Sequence, residues 1–177
     1  MLNDFFLCIY VTDIPIILGI MVALWLAWSA VAAVFRKKVH IIATFLAILS
    51  LAAILYTTVF SRAPTVIELH LIPFSSFVRA QTNREVYRSM LMNVFLFVPL
   101  GLSLPFVLRG TADKRLWLTA LVAFALSASI EAIQFAFSLG MVETDDVLCN
   151  TVGATLGACA YPLSLLWSRL FRRQPRL

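Results

Sequence analysis

Glu131 stands inside a long apolar run, with Gln134 three residues on. After a short acidic turn that ends in Asp145 and Asp146 the next run begins, with Asn150 a turn further. An ionised carboxylate at the centre of a bilayer costs roughly 2.5 to 3.5 kcal/mol on insertion scales, so such residues usually face a protein interior or a wet cavity. Asn93 lies in a third run, preceded by Arg84 and Arg88. Together these groups could do two kinds of chemistry. The carboxylates and amides could bind the polar head of a lipid-like ligand. Alternatively, the carboxylates could hold a hard divalent cation through oxygen ligands, with Glu131 or Asp146 as general base and Arg84 or Arg88 near a phosphate.

Each residue also has a plain structural reading. Asp145 and Asp146 at a helix start are what an N-cap and the helix dipole favour. Asn93 and Gln134 could hydrogen-bond neighbouring helices, and Glu131 could pair with Arg84 or Arg88. His70, in Glu68-Leu69-His70-Leu71, reads as an interfacial residue more readily than as a ligand. The chain has no Ser-His-Asp order, phosphate-binding loop or HExxH pattern to suggest hydrolysis, and no cofactor is indicated beyond the optional divalent metal.

The elements that position these residues follow from composition. The chain has 177 residues, 62% hydrophobic and 13% charged, with mean hydropathy +0.94. About 20 apolar residues cross a bilayer core, and five runs qualify, at about 14–35, 41–60, 89–108, 116–138 and 147–168. The expected fold is therefore all-α, a polytopic membrane helix bundle of five spans. Only the segment from Ser61 to Arg88 is long enough to fold over a mouth or dip into the interface. Ala30-Val31-Ala32 resembles a signal cleavage site, but Asp4 and Asp13 precede it without a basic residue and Arg36-Lys37-Lys38 follows it. Run one is thus expected to stay as a helix.

Short cytoplasmic loops collect Lys and Arg. With the N-terminus outside and the C-terminus inside, the 14 basic residues split ten inside to four outside, and of nine acids only Asp113 falls inside. The net charge of +5 then reflects orientation and anionic headgroups; a nucleic-acid partner has no basic soluble module to contact. Cys149 and Cys159, ten residues apart on one run, are about 15 Å apart by helical rise, too far to bridge. Cys8 stands alone near the N-terminus, and all three cysteines read as structural.

At about 100° per residue, Asp146, Asn150, Gly153 and Gly157 share one face, so a polar stripe continues as a small-residue stripe. Gly153-xxx-Gly157 is a close-packing signal between membrane helices. A helix that buries those glycines turns Asp146 and Asn150 inward too. Pro99-Leu100-Gly101 reads as a kink that a membrane helix tolerates.

Five segments, in order and spacing, carry a resemblance: YTTVFSRAP from Tyr56, Leu71 to Phe74, NVFLFVPLG from Asn93, Ser129 to Gln134, and ETDDVLCNTVGATLG from Glu143. They resemble the VanZ family, associated with resistance to teicoplanin-type glycopeptide antibiotics. The resemblance covers about 56–161, leaving helices over 1–55 and the end of the last helix with its basic tail over 162–177. It implies a bacterial inner-membrane envelope protein whose recurring polar residues map onto Asn93, Glu131, Gln134, Asp145, Asp146 and Asn150. The expected function is binding of an envelope lipid or lipid-linked cell-wall intermediate in a polar cavity of the outer leaflet. Expected partners are membrane lipids, such an intermediate, or the glycopeptide itself. The alternative is a membrane enzyme acting on a lipid-linked or polyprenyl-phosphate substrate with carboxylate-bound metal. Proton-coupled transport through Glu131 is the third reading, weakened by the apolar inner halves of the helices and the absence of an inverted repeat.

Overall fold

Long apolar runs bounded by turn residues fold as helices because only a helix satisfies every backbone group without water. In the computed structural model the described residues are 14–35 and 38–172. Cys8, Asp4, Asp13, Arg36, Lys37, Arg173 and Arg176 lie outside them. The order is α1 Ile14–Val34, α2 Val39–Leu55 running on as a π-helical turn Tyr56–Phe60, β1 Glu68–His70, α3 Ser75–Ala80, α4 Arg84–Val107, α5 Ala112–Ala136, β2 Met141–Glu143, α6 Thr144–Ala158 and α7 Ala160–Arg172. Asn83 caps α4 by accepting from the Glu85 and Val86 amides, and Thr111 caps α5 by accepting from the Lys114 amide. Among the described residues, three helices are long and apolar enough to cross a membrane: Val39–Phe60, Arg84–Val107 and Ala112–Ala136.

Two expectations are corrected. The chain is mostly helical but not purely so, because β1 and β2 pair in parallel, with Leu69 opposite Val142 and His70 opposite Glu143. Three-residue strands are too short to leave an alternation in the sequence. The last apolar run starts earlier than Val147, at Thr144, and divides at Cys159 into α6 and α7.

Helices α4 and α6 form the tightest pair, and glycine is the reason. A Cβ on Gly153 would overlap the Val94 carbonyl, one on Gly157 the Val98 carbonyl, and one on Gly101 the Ala154 carbonyl. Small residues on both helices thus let the backbones touch. Pro99 and Pro105 both lie within α4, which runs unbroken from Arg84 to Val107. Around this pair, Ile54 of α2, Phe97 and Leu100 of α4, Ala123 and Ile130 of α5, and Ala154 of α6 form the central core. A second cluster closes one end: Trp28 of α1 donates its indole N–H to the Leu102 carbonyl at 3.0 Å and meets Phe106 edge-on at 5.8 Å. At the other end, residues 61–83, with β1 and α3, fold back over the helix ends as a lid.

Candidate functional site

Helix α5 presents Thr119, Ala123, Ser127, Ile130, Glu131 and Gln134 as one buried stripe, while Trp117, Leu121 and Phe124 on its other faces are exposed. The spacing is that of a helix with one face against protein and the rest against lipid. Glu131 and Gln134 therefore point into the bundle. Helix α6 meets that stripe with Asn150, whose Nδ2 donates to the Ser127 hydroxyl at 2.8 Å. One turn up, the Glu131 and Asp146 carboxylates are close enough for their charges to act on each other, and the Asn93 amide of α4 faces Asp146. Gln134 reaches α2, donating to the Thr58 carbonyl at 2.9 Å, one of the last carbonyls of a helix end that lacks an intrahelical donor.

The structure therefore brings Asn93, Glu131, Gln134, Asp146 and Asn150 to the lid end of α4, α5 and α6. Two of their polar atoms are buried and have no hydrogen-bond partner, Gln134 Oε1 and Asn150 Oδ1, while the Asn93 side chain is within reach of the Asp146 carboxylate. Buried polar groups are normally satisfied, and orphans of this kind mark places where something else completes them. The cluster is rich in acceptors, with two carboxylates and two amide oxygens, and so suits a ligand that donates from hydroxyl, amine or amide groups.

Asp145 does something else. It is 1% exposed, and its two oxygens accept from the Phe74 amide at 2.6 Å and the Ser76 amide at 2.8 Å. The cap anticipated for Asp145 on its own helix is thus a cap on α3, 69 residues back in the chain; Glu143 holds the N-cap position of α6 and makes no side-chain cap there. The clamp also holds Phe74 at φ 65°, a conformation that a bulky residue adopts only when its surroundings fix it. Glu143 completes the staple: Oε2 accepts from the Ser76 hydroxyl and Oε1 from Arg79 Nη2, both at 2.9 Å. The Glu143 amide donates to Glu131 Oε2 at 3.1 Å, which ties the lid to the polar cluster.

The cation whose charge acts on both Glu131 and Asp146 is Arg62, at the lid's first turn, where it also donates to the Leu139 carbonyl at 3.5 Å. The sequence nominated Arg84 and Arg88 for that place. Arg84 is exposed at the start of α4, and Arg88 is half-buried one turn on. The cavity of about 590 Å³ between α3, α4 and α6 is apolar and is lined by none of the eight nominated residues. The polar groups are packed beneath the lid rather than lining that cavity. Among the described residues no three of His, Cys, Asp and Glu are grouped to hold a metal ion.

Sequence reasoning missed Arg62, Glu143, Ser76, Arg79, Thr58 and Ser127. Their partners are distant in the chain, 77 residues for Arg62 and Leu139 and 67 for Ser76 and Glu143, and no local period encodes such a pairing. One signal was available: Glu143 falls in the same short acidic turn as Asp145 and Asp146.

The geometry defines a class first: a helical membrane protein whose buried polar groups meet at one end of its spans under a stapled lid. The VanZ/LLP1 family matches residues 39–167, and the chain belongs to that family. That match runs past the 56–161 resemblance at both ends. The chain is also similar to Protein VanZ of Enterococcus faecium, 39% identical over 80 residues that make up 44% of this chain and 47% of that protein. The chain thus spans about half the length of the curated relative it matches. No solved structure matches.

Proposed function

We propose that this chain is a teicoplanin-type resistance protein of the bacterial inner membrane, with five spans, its N-terminus outside and its C-terminus inside. Beneath the lid, Glu131 and Asp146, assisted by Asn93, Gln134, Asn150 and Arg62, bind the hydrogen-bond-donating head of an envelope lipid or lipid-linked cell-wall intermediate. Holding that molecule changes what a lipoglycopeptide can reach at the outer face. The observation that carries this reading is the pair of buried, unpartnered amide oxygens of Gln134 and Asn150 near the Glu131 and Asp146 carboxylates of packed helices α5 and α6. A bundle that needed only packing at this depth would bury apolar groups, because an unsatisfied buried polar group costs about 1 to 3 kcal/mol. Family membership supports the resistance role and the membrane setting.

The test is teicoplanin susceptibility of a sensitive bacterium expressing the wild type, Glu131→Gln or Asp146→Asn at matched protein levels in the membrane. The reading expects each substitution to remove most of the protection. Protection equal to wild type from both variants overturns it.

A further inference from the structure

At the end of the bundle opposite the lid, five helices meet around a cavity of about 160 Å³. Its walls include Ala32 of α1, His40 of α2, Phe106 of α4, Arg115 of α5, and Tyr161 and Ser164 of α7. Against about 30 Å³ of liquid volume for one water, that is room for a five-atom oxyanion.

Arg115 is fixed in place before any ligand arrives. Its Nε donates to the Gly110 carbonyl and its Nη1 to the Pro105 carbonyl, both at 2.9 Å, and its Cζ lies 4.7 Å from the centre of the Tyr161 ring. Phe106 in turn braces that ring edge-on at 5.2 Å. A guanidinium carries five N–H donors. The tether to the turn between α4 and α5 uses two, and the remaining three have no acceptor among the described residues. Beside it, His40 Nδ1 donates to the Thr44 hydroxyl at 3.2 Å, and that hydroxyl donates to the His40 carbonyl at 2.8 Å. The ring nitrogen left for a ligand is therefore Nε2. Ser164 spends its proton on the Tyr161 carbonyl at 2.7 Å and adds no donor.

The charge around the cavity favours an anion. No carboxylate lines it. Asp113, the acid of this end, is exposed and stands two residues before Arg115, which sets the two side chains on different sides of α5. Lys38, Arg109 and Lys114 are exposed in the turns at the same end. The spans Val39–Phe60 and Ala112–Ala136 both run from here toward the lid. His40 and Arg115 lie in their first turns, within about 5 Å of the helix starts at 1.5 Å per residue. Both groups thus stand at headgroup depth, at the positive ends of two helix dipoles.

We propose that this cavity binds the phosphate of an anionic phospholipid headgroup in the leaflet opposite the lid, with Arg115 as principal donor and His40 Nε2 beside it. The planar guanidinium matches two phosphate oxygens at once, and basic pockets between membrane helices at the cytoplasmic side take such headgroups. The inference rests on the membrane placement given above but not on the resistance role.

The test is native mass spectrometry of the full chain in detergent micelles, titrated with phosphatidylglycerol, with phosphatidylcholine of the same acyl chains, or with inorganic phosphate. The expected result is one retained phosphatidylglycerol, bound at least ten-fold more tightly than phosphatidylcholine, whose choline brings a cation to a basic site. Arg115→Lys keeps the charge but loses the fork, and weakens that binding at least five-fold. His40→Ala, at an exposed position that the fold does not need, weakens it at least three-fold and keeps the test decisive if Arg115→Lys does not fold. Arg109→Gln, a basic residue of the same end that does not line the cavity, leaves it within two-fold. Equal retention of the two lipids overturns the proposal, as does loss from Arg109→Gln as large as that from His40→Ala. Binding of inorganic phosphate without retained phosphatidylglycerol also overturns it. Glu131→Gln leaves the lipid bound, so failure of this site and failure of the resistance reading are read separately.

Discussion

Asp145 and Asp146 are neighbours in sequence with opposite roles. Asp145 spends both oxygens on backbone amides of the lid, whereas Asp146 faces Asn93 and the Glu131 carboxylate across the helix interface. Asp145→Ala is therefore expected to destabilise the fold by about 2 to 4 kcal/mol, since it removes two charge-assisted bonds and strands their donors. Asp146→Asn keeps the shape and removes a charge from beside a like charge, so it is expected to change stability by less than about 1 kcal/mol. Denaturant unfolding in micelles measures both. Equal losses from the two variants would mean that Asp146 is structural. The Arg79–Glu143 pair, at 2.9 Å with the carboxylate 10% exposed, belongs to the same staple. A double-mutant cycle of Arg79→Ala and Glu143→Ala is expected to give a coupling of about 1 to 3 kcal/mol; additive losses would show the pair to be incidental.

Among the elements, α4 against α6 sets the depth and facing of Asn93, Asp146 and Asn150, and three glycines permit that contact. Gly153→Ala or Gly157→Ala drives a methyl group into a backbone carbonyl. Overpacking of this sort costs about 1 to 3 kcal/mol, and more where backbone is the obstacle. Gly19→Ala, with nothing within 4 Å of an added Cβ, gains helix propensity and is expected to be neutral or stabilising by up to about 1 kcal/mol. Thermal unfolding that ranks Gly19→Ala with the other two would contradict the packing account. This interface was legible in the sequence: Asp146, Asn150, Gly153 and Gly157 fall on one face by helical arithmetic, and the glycines do meet α4. The lid was not legible. Its strands are three residues long and α3 only six, too short for any period to emerge. Its hold on the bundle comes from Glu143 and Asp145, acidic residues at a helix start that by local rules belong to α6.

For the whole molecule, hydropathy sufficed to find the three long apolar helices because each must solve its own hydrogen bonding, so the signal is local; it did not show that the last run divides at Cys159. It could not place Arg62 beside the carboxylates, since that position depends on how the lid folds back. The proposed orientation makes its own prediction. Cysteines introduced at Thr82 and Ser61 react with a membrane-impermeant maleimide in intact cells from which the outer barrier has been removed, and one at Thr111 reacts only after permeabilisation; the reverse pattern would place the lid and its polar cluster at the cytoplasmic face. The central claim is that Glu131 and Asp146, from different helices, serve one site. The most direct measurement is teicoplanin susceptibility across the full cycle of wild type, Glu131→Gln, Asp146→Asn and the double variant at matched membrane levels. Each single variant is expected to lose most of the protection, and the double variant to be no worse than the worse single. Losses that add independently, or protection retained by all three variants, would contradict a shared site.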